Sequence, residues 1–296
     1  MEHKSAFIAV MGSPNVGKST LVNRIVGEKV AIVSDKAQTT RSRIAGICSN
    51  PDDQMVFMDT PGVQNPKNKL GEYMVKTAFG TLEDIDAALL VVDAQHGVGS
   101  RDEALAPKLL SSGAPVLAAV NKADAVIQGK LDVAVQKLQE LGIPADKIYV
   151  ISAKTGTGVD ELHKALREYL KPAPRYYPGD EYTDQSMRVM AAELIREKAL
   201  ILLREEVPHG VGVMVERMEE REDADMWDIE AVLLCERDGH KGIIIGRGGE
   251  MLKRIGSQAR KDLEEMLGVK VYLKLFVRVE ENWRDSIRVM KELGYR

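Results

Sequence analysis

Gly12-Ser13-Pro14-Asn15-Val16-Gly17-Lys18-Ser19 fits the pattern G-x-x-x-x-G-K-[ST], the composition of a loop that wraps its backbone around phosphate. The apolar run Phe7-Ile8-Ala9-Val10 precedes it and reads as a buried strand. Thr20-Leu21-Val22-Asn23-Arg24-Ile25 follows with helical spacing, Leu21 and Ile25 lying four apart. Gly12 and Gly17 let the chain curl so that its N–H groups point inward, next to a helix N-terminus that favours anions. Ser13, Pro14, Asn15 and Val16 form the turn between them. Lys18 is placed to reach the β- and γ-phosphates, the Ser19 hydroxyl to hold Mg²⁺, and Thr20 continues the site into the helix.

The chain has 296 residues, room for about two domains, with 44% apolar and 29% charged residues, an ordinary globular composition. Its net charge of −4 requires any nucleic-acid contact to come from a local patch. Cys48 and Cys235 are too far apart in sequence to suggest a disulfide framework or a zinc site, and the five histidines are scattered. The chain runs almost directly into its first strand, with no signal-peptide pattern, and no apolar run approaches the ~18 residues of a membrane span. The expectation is a soluble protein of a reducing compartment, the cytoplasm.

Strand-like and helical segments then alternate. Arg43–Cys48 and Gln54–Met58 read as a strand pair, and Ala87–Val92, Ala114–Val120 and Ile148–Ile151 as further strands, with helical patterns over 101–111 and 131–141. This alternation predicts a mostly parallel sheet with helices on both faces, whose ligands bind at the carboxyl ends of the strands. Three motifs fall there. Asp59-Thr60-Pro61-Gly62 puts a carboxylate near Mg²⁺ and a glycine N–H near the γ-phosphate. Asn121-Lys122-Ala123-Asp124 offers the Asp124 carboxylate to guanine N1–H and its 2-amino group; adenine would leave a buried Asp124 unpaired. Ser152-Ala153-Lys154 closes over the purine. Four motifs in order, each at a strand end, predict a GTP-hydrolysing domain over 1–171, with Lys18, Asn15, Thr40 and Gly62 as its catalytic group and Ser19, Thr40 and Asp59 as its metal ligands. Thr39 and Thr40 both lie in the polar loop after the first helix; Thr40 is the preferred γ-phosphate and Mg²⁺ contact. Val63 stands where Ras-type enzymes place a water-orienting glutamine, so unaided hydrolysis is expected to be slow.

Residues 172–185 hold the Pro-rich run Pro172-Ala173-Pro174-Arg175-Tyr176-Tyr177-Pro178-Gly179 and read as a semi-rigid linker. From 186 to 296 the pattern is a helix (Met187–Leu203), two antiparallel strands around a charged turn at 219–225, a Gly-rich segment between apolar helical patterns, and a last strand over 269–277. Within it, Ile245-Gly246-Arg247-Gly248-Gly249 followed by Leu252 matches I-G-x-x-G-x-x-[IL], the signature of a KH module that clamps about four nucleotides of single-stranded RNA. The order is that of an α+β type II KH domain. Residues 237–261 carry seven Lys or Arg against two acids, while 172–296 are net −4, so the basic strip is local. Lys241, Ile245, Gly246, Arg247, Gly248, Gly249, Lys253 and Arg254 are the candidate RNA contacts.

Taken together, one GTPase domain, a short linker, one C-terminal KH domain and the ending Asn282-Trp283-Arg284-Asp285 resemble the Era family of bacterial ribosome-associated GTPases over essentially the whole chain. The resemblance implies binding to the 3′ end of 16S ribosomal RNA, a role in 30S subunit maturation, RNA affinity that depends on GTP or GDP, a monomer, and peripheral membrane association for which the residues give no sign. Related GTPases use an asparagine at the place of Asn15 to bind K⁺ where others insert an arginine finger, which implies K⁺ stimulation here. Gly248 departs from the family's pattern, in which a second basic residue occurs inside the turn. The alternative is a signalling GTPase whose C-terminal domain binds a protein or membrane partner.

Overall fold

The computed structural model describes residues 2–222 and 224–295. They form two compact units, one of Met1–Ala31, Thr40–Asn65 and Tyr73–Asp184, the other of Ile32–Thr39, Pro66–Glu72 and Gln185–Arg296. In chain order the first stretch of elements is β1 (Lys4–Met11), α1 (Lys18–Val26), β2 (Ile44–Ser49), β3 (Asp53–Asp59), α2 (Lys69–Gly80), β4 (Ala87–Asp93), α3 (Ser100–Leu110), β5 (Val116–Asn121), α4 (Gln128–Glu140), β6 (Ile148–Val150), α5 (Val159–Leu166) and β7 (Lys171–Pro172).

The strands lie in the order β2-β3-β1-β4-β5-β6, with β7 added against β1. All neighbours are parallel except β2 on β3 and β7 on β1. A sheet covered on both faces needs strands apolar on both sides, and β3 and β4 are buried at every residue. Alternation along β1 sorts its side chains between two cores. Ile8 and Val10 join Leu21, Leu89, Leu117 and Leu162 on one face. Ala9 and Met11 join Leu90, Val92, Leu105 and Leu138 on the other. The order reverses at β1, whose neighbours β3 and β4 run off to opposite sides, so a crevice opens beyond the carboxyl end of β1, where Gly12 begins.

The Pro-rich segment is packed rather than free. Gln54, fully buried, accepts from the Tyr176 and Tyr177 N–H groups (both 3.0 Å) and donates to the Tyr177 carbonyl (2.9 Å). The Ile47 N–H donates to the Tyr182 carbonyl (2.8 Å), and the Ala45 N–H to Asp184 (3.1 Å). Tyr176 and Tyr177 therefore dock on Gln54 of β3, and residues 182–184 run along the outer edge of β2.

The second unit continues with α6 (Met187–Leu202), β8 (Gly212–Glu220), β9 (Met226–Cys235), α7 (Asp238–Ile245), α8 (Glu250–Leu267), β10 (Lys270–Val279) and α9 (Ile287–Glu292). Its sheet runs β10-β9-β8, parallel between β10 and β9 and antiparallel between β9 and β8. Leu194 and Ile195 of α6 and Ile255, Ala259 and Leu263 of α8 share a core with Ile229, Ala231 and Leu233. This is the α-β-β-α-α-β order expected of a type II KH domain. The charged turn is shorter than the sequence pattern suggests. Glu219 and Glu220 pair in the ladder opposite Asp228 and Trp227, and Arg221 grips Asp228 through two hydrogen bonds of 2.9 and 2.7 Å. The forked Arg221–Asp228 pair, which offsets the like charges of Glu219 and Asp228 across the ladder, thus carries the hairpin beyond Met218. Trp283, fully buried, donates its indole N–H to the Gly210 carbonyl (2.8 Å) and anchors the segment before α9.

Candidate functional site

The phosphate-binding loop leaves β1 and enters α1 through backbone that few side chains tolerate. Gly12 has φ +151° and Gly17 φ +96°. A Cβ on Gly12 would lie 2.3 Å from the Val91 carbonyl oxygen, and one on Gly17 2.3 Å from Asn121 Nδ2. Asn15 adopts φ +63°, a conformation asparagine accepts more readily than most residues. Val16 is buried and Thr20 half-buried. Lys18 is buried, its ammonium donating to the carbonyls of Gly12 (3.1 Å) and Ser13 (2.9 Å). Burial lowers its pKa to about 8, against the pull of the Asp59 and Asp102 charges. Gly62 closes over the loop, where a Cβ would stand 2.7 Å from the Pro14 backbone. Thr60 donates to the Val10 carbonyl (2.7 Å) and, with the buried Pro61, fixes the turn after β3. Val63 is turned into the α3-side core and offers nothing to a water at the phosphates.

Three oxygen-bearing side chains converge beside Lys18. Ser19 Oγ donates to Asp59 Oδ2 at 2.6 Å and lies 2.9 Å from Thr40 Oγ1. The hydroxyl of Thr39 is engaged elsewhere, with Ser34 (2.7 Å) and the Lys36 carbonyl (2.6 Å), so Thr40 is the threonine at this site. Asp59 is wholly buried, and its Oδ1 has no hydrogen-bond partner among the described residues. Such an all-oxygen set with a spare buried carboxylate oxygen fits Mg²⁺. Burial raises the Asp59 pKa to about 6, against the opposing effects of the Lys18 charge and the Ser19 hydrogen bond.

The base end is built around Asn121, whose side chain donates to the Val16 carbonyl (2.8 Å) and accepts from the Ala153 N–H (2.9 Å), tying the phosphate loop to the 152–154 loop. Lys122, at φ +66°, is held by Asp93 at 2.7 Å. Asp124 Oδ1 accepts from Ser152 Oγ at 2.6 Å. Asp124 is exposed, not buried as the guanine argument assumed, and Lys154 is exposed as well. Asp124 stands at the open rim of the pocket, where a bound base is what would cover it.

In the second unit, α7 ends at Gly246 (φ +74°, ψ 175°), a conformation essentially closed to other residues. Gly248 (φ +58°) and Gly249 (φ +82°) both take left-handed conformations before α8 starts at Glu250. A Cβ on Gly246 would lie 2.8 Å from that of Met251. Arg247, Lys253 and Arg254 are exposed around the turn, and Lys241 and Ile245 are half-buried on α7. Gly248 thus has a role of its own: it lets the turn reverse within four residues.

The chain matches the family model described as 50S ribosome-binding GTPase over residues 7–122 and the KH domain model over 206–284. It is 45% identical to GTPase Era of Alkaliphilus metalliredigens, covering all of both chains, and 49% identical to that of Caldicellulosiruptor saccharolyticus, covering 100% of this chain and 98% of the relative. This chain belongs to the Era family of GTPases. A solved Era structure in complex with MgGDPNP and nucleotides 1506–1542 of 16S ribosomal RNA is 38% identical, with a TM-score of 0.94 over 99% of each chain. A variant of Aquifex aeolicus Era bound to GDP.AlF4⁻ is 37% identical, with a TM-score of 0.94 over the same shares.

Several residues at this Era-type site lie outside the motifs. Asp102 of α3, buried, accepts from Ser13 Oγ at 2.7 Å and braces the phosphate loop from 89 residues away. Asp93 orients Lys122, and Arg24 of α1 reaches the 152–154 loop. Only the acidic end of β4 at Asp93 carried a sequence signal, being a charge at the close of an apolar strand.

The Asp59 pKa yields a test. Because the folded-state value is raised above the unfolded one, folding takes up a proton between pH 3.8 and about 6. This one group's contribution therefore falls by about 3 kcal/mol as pH rises through that window. A Mg²⁺ held by this carboxylate would compete with the proton, so the affinity of the Mg²⁺·GDP complex is expected to fall below pH 6, approaching tenfold per unit. Calorimetric titrations between pH 5 and 8 check this; Asp59→Asn should flatten the dependence.

Proposed function

We propose that this GTPase binds the single-stranded 3′ end of 16S ribosomal RNA on its glycine turn and assists 30S subunit maturation, with RNA affinity set by whether GTP or GDP is bound. The observation that carries this reading is the presence on one chain of a guanine-nucleotide site and a Gly246–Gly249 turn ringed by exposed Arg247, Lys253 and Arg254. The family relative solved with MgGDPNP and a 16S fragment supports it.

The geometry supports a part for each residue. The Lys18 ammonium exchanges the Gly12 and Ser13 carbonyls for β- and γ-phosphate oxygens, and the loop N–H groups take the rest. Ser19, Thr40 and Asp59 would hold Mg²⁺, which when bound would supply positive charge beside the phosphates. The Gly62 N–H meets the γ-phosphate. With Val63 half-buried and packed against the core, no side chain at that position orients water, and unaided turnover is slow. Asn15 is proposed as a K⁺ ligand beside the phosphates. Cytoplasmic residence is proposed too, in keeping with the two free thiols of Cys48 and Cys235. Among the described residues, no helix is long and apolar enough to cross a membrane.

The test is a titration of labelled RNA carrying the ribosomal 3′ tail, at fixed salt, with GDP and with a non-hydrolysable GTP analogue. Tighter sequence-dependent binding with the analogue is expected. Gly246→Asp forces a side chain into a glycine-only conformation and sets a negative charge beside phosphate; it should weaken RNA binding at least ~100-fold. Equal affinity in both nucleotide states would remove the gating. Absence of specific RNA binding in either state would leave the signalling alternative.

A further inference from the structure

Arg24 sits in the last turn of α1, outside every nucleotide motif, and its guanidinium reaches the loop that closes over the base. Nε donates to the Ala153 carbonyl (3.2 Å) and Nη2 to the Lys154 carbonyl (2.5 Å). Two neighbouring donors on one edge of the planar fork thus meet two successive carbonyls, an arrangement a lysine cannot reproduce. The loop is also closed internally. The Gly156 N–H donates to the Ser152 carbonyl (2.8 Å), the Ser152 N–H to the Thr157 carbonyl (2.9 Å), and the Thr155 N–H to Ser152 Oγ (3.1 Å). These bonds shape the loop but do not locate it. On the β5 side, Asn121 holds the Ala153 N–H, the Ile151 N–H donates to the Val120 carbonyl (2.9 Å) and Ser152 Oγ donates to Asp124 (2.6 Å); Arg24 holds the Ala153 carbonyl from the α1 side, so both polar atoms of Ala153 are fixed.

We infer that Arg24 is a positioning residue for nucleotide retention. It fastens the base-covering loop to the helix whose first turn holds the phosphates, so that the two ends of a guanine nucleotide meet one rigid frame. The inference rests on the guanine-nucleotide reading of this site. Arg24 is itself solvent-exposed and makes no contribution to either unit's core, which separates its role from general stability. With the fork removed, the loop keeps its internal turn and its bonds to β5 and the turn after it, but loses its hydrogen bonds to α1. The base end of the pocket then opens more often, while Lys18, Ser19 and Asp59 are unaffected.

The experiment uses the full chain and a fluorescent GDP analogue. For Arg24→Ala, GDP dissociation is expected to be about tenfold faster, the loss of a partly exposed charge-assisted pair of hydrogen bonds. KM for GTP should rise in proportion, while the single-turnover rate of GTP already bound changes less than about threefold. Arg24→Lys, keeping charge and at most one of the bonds, should fall between wild type and alanine. A dissociation rate within twofold of wild type for Arg24→Ala would overturn the inference. So would full rescue by lysine, which would show that charge alone matters, or a single-turnover rate that falls as far as the affinity. If wild type itself failed to bind the GDP analogue, the reading of the site would fail rather than the role of Arg24.

Discussion

Lys18→Ala should lower the single-turnover rate of GTP hydrolysis by at least ~10³-fold and weaken nucleotide binding with it. The expectation follows from burial. An ammonium placed out of water and hydrogen-bonded to two carbonyls is an unfavourable arrangement, and burial lowers its pKa to about 8 in spite of the Asp59 and Asp102 charges. A phosphate group entering between the loop N–H groups supplies the missing negative charge, so the attraction is gained where water cannot screen it. Alanine removes that charge and leaves the carbonyls of Gly12 and Ser13 without their donor. The lowered pKa adds a direction. In the ligand-free protein Lys18 loses its proton above about pH 8, so nucleotide binding near pH 8–9 takes up a proton and affinity falls as pH rises further. Calorimetry in buffers of different ionisation enthalpy reads that uptake directly. Arg at this position keeps the charge but not the compact shape the loop encloses, so Lys18→Arg should not rescue hydrolysis.

Asp124→Asn should reduce affinity for GDP by ~10³-fold or more and create affinity for xanthosine diphosphate. Guanine offers two donors, N1–H and the 2-amino group, to a carboxylate. Xanthine keeps N1–H but carries a carbonyl at C2, which faces the carboxylate as one acceptor against another. An asparagine amide has one acceptor and one donor and matches xanthine instead. The structure makes the exchange conservative elsewhere, since the Ser152 hydroxyl that donates to Asp124 Oδ1 can donate equally to an amide oxygen. Competition of the two diphosphates against a fluorescent nucleotide measures the switch. Unchanged preference for GDP would mean that Asp124 does not read the base.

Residues 12–19, 59–62, 121–124 and 152–154 were legible in the sequence because each motif fixes backbone shape and chemistry at one place. The glycines at 12, 17 and 246 show why: each takes a positive φ, +151°, +96° and +74°, that the turn itself demands. Buried apolar runs gave the strands for the same reason, as local pattern. Arg24, Asp102 and Gln54 were not legible. Arg24 meets residues 129 and 130 positions away, and Asp102 meets one 89 away, so only the folded sheet brings the partners together. An arginine or aspartate on a helix surface otherwise reads as a solvated charge. The exposure of Asp124 was hidden too, since a motif states what a carboxylate can bind but not how far the rim stands open.

The docking of 176–177 on β3 and of 182–184 along β2 has a practical meaning for anyone wishing to handle the nucleotide-binding half alone. A fragment stopped at 171, where the motif-bearing portion ends, would leave the Gln54 amide inside the protein without its backbone partners. It would also bare the N–H and carbonyl groups of the outermost strand, which can recruit a second chain. Carrying the fragment on to 184 retains its own selvedge. The segment whose prolines suggest a spacer by composition ends, in place, as the hem that covers the edge of the sheet through Tyr182, Thr183 and Asp184.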